Sequence, residues 1–277
     1  MALLATRVKK ESYKWGSKFY KMIADIDLGA TNTEVWAPIG GNGFTFKGHF
    51  DGGNFTVSGK LIAAESEEYF GIFGFSESDS EIKNLNFSGT MDATPATSLS
   101  FAGSIVGYTM GDIIHCNNSG NLTTVKGTLG GIAGRNTKPC IACSNNGSLQ
   151  GGDQVYGISS SAIGCKNTAA SISGKSFVGG ISGYDEVVIA CWSSTTTIAG
   201  SRPGAIIGYA AVGTTHCYWK EASGLKGCDG GIMTNSGSFT DSTPTSDQIA
   251  AMNAAWAVAQ PTGREYKFDD NGDIVKL

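Results

Sequence analysis

One short run, Leu129-Gly130-Gly131-Ile132-Ala133-Gly134, constrains this chain more than any other feature, because variants of it return through the middle of the sequence. The same G-x-I-x-G core recurs at 103–107, 179–183 and 204–208, with Phe70-Gly71-Ile72-Phe73-Gly74 ahead of them and a worn copy, Tyr156-Gly157-Ile158-Ser159-Ser160, in between. Behind the copies come short apolar segments ending in Cys116, Cys143, Cys165, Cys191 and Cys217, at successive spacings of 27, 22, 26 and 26. A fixed period of this length marks a repeat protein, in which no single repeat can bury its apolar face alone. Each repeat offers the G-x-I-x-G segment, the segment ending in cysteine, and a third piece such as Gly120-Asn121-Leu122-Thr123. Three short strands per repeat predict one coil of a parallel β-helix, with glycines at corners where φ turns positive. The default hand for parallel crossovers is right-handed.

Composition agrees: 40 glycines among 277 residues and only 16% charged residues point to an all-β, turn-dense chain. A net charge of -4, with Lys9-Lys10 as the one adjacent basic pair, argues against a nucleic-acid surface. No run of about twenty apolar residues exists to span a membrane, and the N-terminus lacks the regions of a secretion signal. A cytosolic protein and one whose signal has been removed both satisfy that pattern. The repeat position of five of the seven cysteines predicts a ladder of buried, reduced thiols, since side chains stacked at about 4.8 Å stand slightly too far apart for relaxed disulfides. Cys140 and Cys143 form a C-x-x-C without the second pair that a zinc site would need.

Residues 1–17 read as an amphipathic cap with Leu3, Leu4 and Val8 on one face, and 20–28 as a strand whose apolar side is Tyr20, Met22, Ala24, Ile26 and Leu28. The solenoid with its N-terminal cap is expected over 1–225. Over 226–277 a linker, a helix and a hairpin cap or flank the last coil. The helix starts with Ser246 as N-cap, carries Ile249, Met252 and Trp256 on one face, and stops at Pro261-Thr262-Gly263. The hairpin turns around Asn271-Gly272.

Three stretches carry a family resemblance. Ala24-Asp25-Ile26-Asp27-Leu28, Trp36-Ala37-Pro38-Ile39-Gly40, and the run from Phe46-Lys47-Gly48-His49 to Thr56-Val57-Ser58-Gly59 resemble the opening module of GLUG-repeat surface proteins of gut Bacteroidales. The later G-x-I-x-G copies resemble the GLUG repeat itself, so the likeness runs over roughly residues 18 to 220. It implies a secreted or surface-exposed, adhesin-like β-solenoid whose signal peptide has been removed, with no reaction attached. The worn copy has lost its closing glycine, and a bulge or loop is expected at that rung.

Candidate chemistry is sparse. Asp269, Asn271 and Asp273 have part of a calcium-loop spacing, but a hairpin turn explains the same letters. His115 and His216 each precede a ladder cysteine and lie four rungs apart, about 19 Å, too far for a shared metal. His49 reads as a surface turn. A glycoside hydrolase needs two carboxyl groups about 5 to 9.5 Å apart. Between Asp92 and Glu221 the acids are Asp112, Asp153, Asp185 and Glu186, in differing registers, and the arginines are Arg135 and Arg202.

Aromatics are more regular. After the closing glycine come Phe75, Tyr108, Arg135, Tyr184 and Tyr209, a column that either faces solvent as a ribbon for sugar rings or stacks inward. After the ladder cysteines, Trp192 and Tyr218 point outward on neighbouring rungs, as ligand contacts or beneath the C-terminal segment.

The expected protein is therefore an all-β, right-handed parallel β-helix of six or seven coils with short capping helices and a C-terminal β-hairpin. It acts as a monomeric, non-enzymatic surface module binding an extended glycan or a surface protein through Trp192, Tyr218, Tyr184, Tyr209 and Tyr108. No catalytic residue, metal or cofactor is expected. The alternatives are a β-helix polysaccharide lyase or glycosidase, which a close carboxylate pair over a groove would favour, and a structural spacer.

Overall fold

The structure is a computed structural model and describes residues 1–10, 18–184, 187–209, 213–222, 224–260 and 263–277. The chain winds as a parallel β-solenoid of about seven turns, with two helices and a C-terminal antiparallel hairpin. Each coil visits four faces. In the coil built on Ile132 they are Thr128–Gly130, Ala133–Asn136, Cys140–Ile141, and then Ser144–Asn145 with Leu149–Gln150. Strands of one coil pair in parallel with their equivalents in neighbouring coils, as in Thr123↔Gln150 and Gly130↔Tyr156.

The G-x-I-x-G core is not one strand, as its pattern suggests, but a corner between two. Its isoleucine points inward: Ile72, Ile105, Ile132, Ile158, Ile181 and Ile206 are all fully buried, each stabilising by about 1.5–3 kcal/mol. The core glycines do not take positive φ. They are required because backbone passes where a side chain would be. A methyl at Gly131 would run into the carbonyl oxygen of Gly157, and one at Gly134 would lie 2.6 Å from the amide nitrogen of Ala102.

Positive φ belongs to another corner, one residue before each ladder cysteine and before Leu85, which holds the same place in the coil of Ile72. Asn84, His115, Ala142, Gly164, Ala190 and His216 all have φ between 51° and 62° there, so the segment ending in cysteine is a strand followed by a left-handed turn. The five ladder thiols are buried and free, and backbone amides of one coil reach the sulfur of the next, Cys143 N–H to Cys165 Sγ at 3.3 Å. Burial pushes the Cys165 and Cys191 thiols well up. Cys140 takes an interior place in register with Ile113 and Ala162. A parallel ladder of buried asparagines runs beside them. Asn118 donates to Asn145 at 2.6 Å and Asn145 to Asn167 at 2.8 Å, and their oxygens take the amides of Gly120 and Gly147. These asparagines, each closing a short strand, thus act through side-chain hydrogen bonds rather than through a left-handed backbone.

At the worn copy the glycine-corner sheet is interrupted: three strands lie on one side of it and two on the other. The expected loop replaces the second strand there, with no strand over residues 157–161, but it turns inward rather than bulging out. Ser159 and Ser160 are buried and donate to Asn136 Oδ1 at 2.7 and 2.6 Å.

Helix α1 (Ala2–Lys10) lays Ala5 and Val8 into the core, with Leu4 packed beside them. Leu3 is instead exposed, because five residues back from Val8 is more than a third of a turn off the buried stripe. The 20–28 segment is two short strands, Phe19–Lys21 and Ile26–Asp27, which pair with different partners in the next coil, and Ala24 is exposed between them. His49 lies in a strand, its ring stacked on Phe19 at 4.6 Å, rather than in a turn.

Coil pairing continues past residue 225, with Tyr218–Lys220 paired to Gly237–Phe239. Helix α2 (Ser246–Ala259) follows. Its N-cap is Thr245, one residue before the expected Ser246, because Thr245 and Gln248 form a reciprocal capping box. Ile249, Met252 and Trp256 are buried as expected. Of the expected stop, Pro261 and Thr262 lie outside the described residues. The helix packs on the flank of the solenoid, not on its last rung, and seats Trp256 over Gly164 between Ala142 and Ala190.

Candidate functional site

Two lanes of side chains stand outside the solenoid along the glycine corner. One holds Phe75, Tyr108, Arg135, Tyr184 and Tyr209; the other holds Tyr69, Phe101, Thr128, Gln154, Phe177 and Arg202, in register from coil to coil. Neither lane is part of the interior, which the neighbouring positions Phe70, Ala102, Leu129, Val155 and Val178 fill. The rings gather into two clusters. In the first, Phe75 and Tyr108 lie 4.9 Å apart, Phe101 and Tyr108 5.6 Å, and Tyr69 stacks on Phe101 at 6.2 Å. In the second, Phe177 contacts Tyr184 at 5.2 Å and Tyr209 at 5.7 Å, and Tyr184 stacks on Tyr209.

Each cluster carries one guanidinium: Arg135 over Phe101 at 5.8 Å and Arg202 over Tyr209 at 4.2 Å. Tyr184 is 43% exposed, the remaining rings are half-buried, and Gly230 lies against the Tyr209 ring. The Tyr69 phenol is pushed up to about 12 by burial and by the hydrogen bond and charge of Glu68, so it stays a neutral donor. Such an edge offers apolar ring faces, phenol hydroxyls and cations in a row, suited to flat, partly polar units of an extended ligand.

Tyr108, Tyr184 and Tyr209 thus fall on one edge. Trp192 and Tyr218 fall elsewhere. Trp192 does point out of the coil, but it is 2% exposed, because the C-terminal hairpin lies on it: its indole N–H donates to the Gly272 carbonyl at 3.0 Å, and Phe239 meets its ring edge-on. Burial beneath the C-terminal segment, the alternative weighed for it, is what the structure has. Tyr218, half-buried, joins the same apolar cluster, so this pair does not form an open contact surface.

The second lane escaped the sequence reading, although a signal for it exists. Phe101 and Phe177 each stand two residues before the first glycine of a core copy, in Phe101-Ala102-Gly103 and Phe177-Val178-Gly179. A corner brings that position beside the residue after the closing glycine, which a single continuous strand would not.

Helix α2 and the hairpin (Tyr266–Phe268 with Ile274–Lys276) clamp the left-handed corner. Asn253 exchanges two 2.8 Å hydrogen bonds with the Phe268 backbone, and Lys166 pairs with Asp273. Asp269 Oδ1 is taken up by the amides of Asn271 and Asp273, which is hairpin-turn chemistry. Between hairpin and solenoid lies a cleft of about 590 Å³. On its floor His115 stacks on Tyr266 at 4.5 Å, His115 Nδ1 lies 3.1 Å from Asn84 Oδ1, and Asn84 donates to Asp51 at 3.0 Å. Partial burial raises the Asp51 carboxyl, but hydrogen bonds from Asn84 and the Gly53 amide, with the charges of Lys21 and Lys83, outweigh it and hold the group below its ordinary range. Glu81 is bonded to Lys83 at 2.7 Å. Asp185 and Glu186 lie outside the described residues.

Over 99% of its length the chain is similar in fold to a crystal structure from Bacteroides ovatus provisionally described as an immunoglobulin A1 protease, with a TM-score of 0.62, 19% identity and 90% of that chain covered. At that identity the likeness is one of fold. In sequence, 83 residues, 28% of this chain, are 31% identical to a protein of Evansella cellulosilytica provisionally described as a Gly-rich membrane protein, and they span 10% of that protein's length. No family model matches the chain.

Proposed function

We propose that this protein is a non-enzymatic recognition module of the kind the GLUG-repeat surface proteins represent, working outside the cell as a monomer and binding an extended glycan along the glycine-corner edge. The observation that carries this reading is the pair of ring clusters on one rigid edge, outside the core, separated by two coils without aromatic rings in either lane. A stack of short parallel strands holds those rings, so little ordering is required on binding. A surface protein presenting repeated aromatic or planar groups is the other partner class the edge suits.

Support for a binding rather than a catalytic role comes from the cleft, where acid and base groups already have partners: Glu81 in Lys83, Glu265 in Lys276, Asp51 in Asn84 and Gly53, and His115 in Asn84 and the Tyr266 ring. The cysteines, all buried and several pushed well up by burial, are poor nucleophiles.

A glycan array probed with the folded protein beside a Tyr184→Ala/Tyr209→Ala variant tests the reading. Binding to a restricted glycan set is expected, with the variant weaker by about tenfold or more, from about 0.5–1.5 kcal/mol for each lost ring contact. A wild-type protein silent on the array would remove the glycan reading and leave a protein partner or a spacer.

A further inference from the structure

Arg135 and Arg202 are the arginines of the repeat region, and both stand on the aromatic edge, each lying on a ring of a different cluster. Neither makes an ion pair among the described residues, and both are exposed. Two acids beside the lanes are engaged elsewhere. Asp153 is paired with Lys175 at 3.2 Å and takes the Gly127 amide. Glu68, two coils from Arg135, takes the Asn42 amide at 2.9 Å. Arg135 belongs to the coil of Ile132 and Arg202 to that of Ile206, three coils on, which places the two guanidinium groups about 14 Å apart along the axis.

From this arrangement we infer that the edge reads an acidic polysaccharide: a chain of sugar rings bearing carboxylate or sulfate groups, lying along the solenoid axis. The inference rests on the recognition reading above and adds the ligand's charge to it. Ring faces alone suit a neutral glycan equally well, whereas an exposed guanidinium over a ring adds a cation whose N–H fork matches a carboxylate or sulfate. Two such forks, each beside its own aromatic platform and too far apart for one small anion, require a ligand that repeats both features. A nucleic acid strand also combines flat rings with anions, but a protein of net charge -4 with two cations on the edge lacks the basic groove that tracks a phosphate backbone.

The test compares polygalacturonate with the same polymer fully methyl-esterified, which removes the charge and keeps the chain. Polyglutamate and single-stranded DNA serve as charged chains without sugar rings. Calorimetry is run on the wild type, on Arg135→Gln/Arg202→Gln and on Tyr184→Ala/Tyr209→Ala, each verified as folded. The expected result is at least tenfold preference for polygalacturonate over its ester, lost in the arginine variant together with most of the salt dependence, and binding abolished in the tyrosine variant. Equal binding of acid and ester, unchanged in the arginine variant, overturns the inference while leaving glycan recognition in place. Polyglutamate or DNA bound as tightly as the acidic sugar overturns it as well, since charge alone would then suffice. No binding to either polymer overturns the inference, and the glycan array decides separately whether glycan recognition stands.

Discussion

At the scale of single residues, the most telling column is the left-handed corner. Asparagine, histidine and glycine accept φ near +55° more readily than other residues, whereas alanine there costs about 1–2 kcal/mol. Yet Ala142 and Ala190 hold this conformation on either side of Gly164, with φ values of 53° and 54°. The reason is the helix above them: both are fully buried, and a methyl at Gly164 would run into the Trp256 ring. Where α2 covers the corner the residues are small, and beyond it they revert to His115, His216 and Asn84. Gly164→Ala should therefore destabilise by about 2–4 kcal/mol, combining the left-handed cost with displacement of a buried tryptophan. Chemical denaturation measures the loss, and Trp256 should become accessible to quenchers in the native state. A stability within about 0.5 kcal/mol of wild type would mean that α2 does not depend on this seat.

At the scale of elements, one of the contacts that hold the hairpin titrates. Partial burial, and then the Lys276 ammonium, hold the His115 imidazole below its ordinary value of 6.5. In the released state that ring protonates first. The stabilisation of the docked hairpin is thus full above about pH 6.5 and is lost as pH falls from there through the folded value. Asp51, held below the ordinary carboxylate range, stays ionised across this window. Amide exchange in 266–276 should speed up several-fold between pH 7.5 and 5.5 after correction for intrinsic rates. His115→Asn, which keeps a residue suited to the left-handed corner, should abolish the change. Equal protection at both pH values in the wild type would show that His115 does not govern docking.

At the scale of the whole molecule, the interior is a set of columns, and the cysteine column is chemically sealed. Seven buried thiols without disulfides predict that the native protein reacts with a thiol reagent far more slowly than the unfolded chain, which should titrate all seven. Its melting temperature should be the same with and without reductant. Rapid modification of two or more thiols in the native state would show that the coil opens. Solenoids also distribute stability over nearest-neighbour interfaces, and here the clamp crosses several of them at once: Tyr266 stacks on His115 and bonds Asn84, Trp256 covers Gly164, and Gly272 covers Trp192.

The repeat alone determined that this chain coils, that Ile132 and its equivalents fill the interior, and that the ladder cysteines stack as reduced thiols, because identical spacing in parallel strands leaves one way to place equivalent side chains. It also marked Tyr108, Tyr184 and Tyr209 as one column. What it could not fix was which outward-facing positions stay uncovered. Trp192 and Tyr184 both point away from the coil, and only the docking of α2 and the hairpin, a contact between segments some 80 residues apart as in Trp192 to Gly272, buries one and leaves the other open. The second aromatic lane was hidden for a related reason. Whether Phe101 and Tyr108 meet depends on a corner that glycine permits through close backbone approach, and sequence spacing alone does not distinguish that corner from a continuous strand.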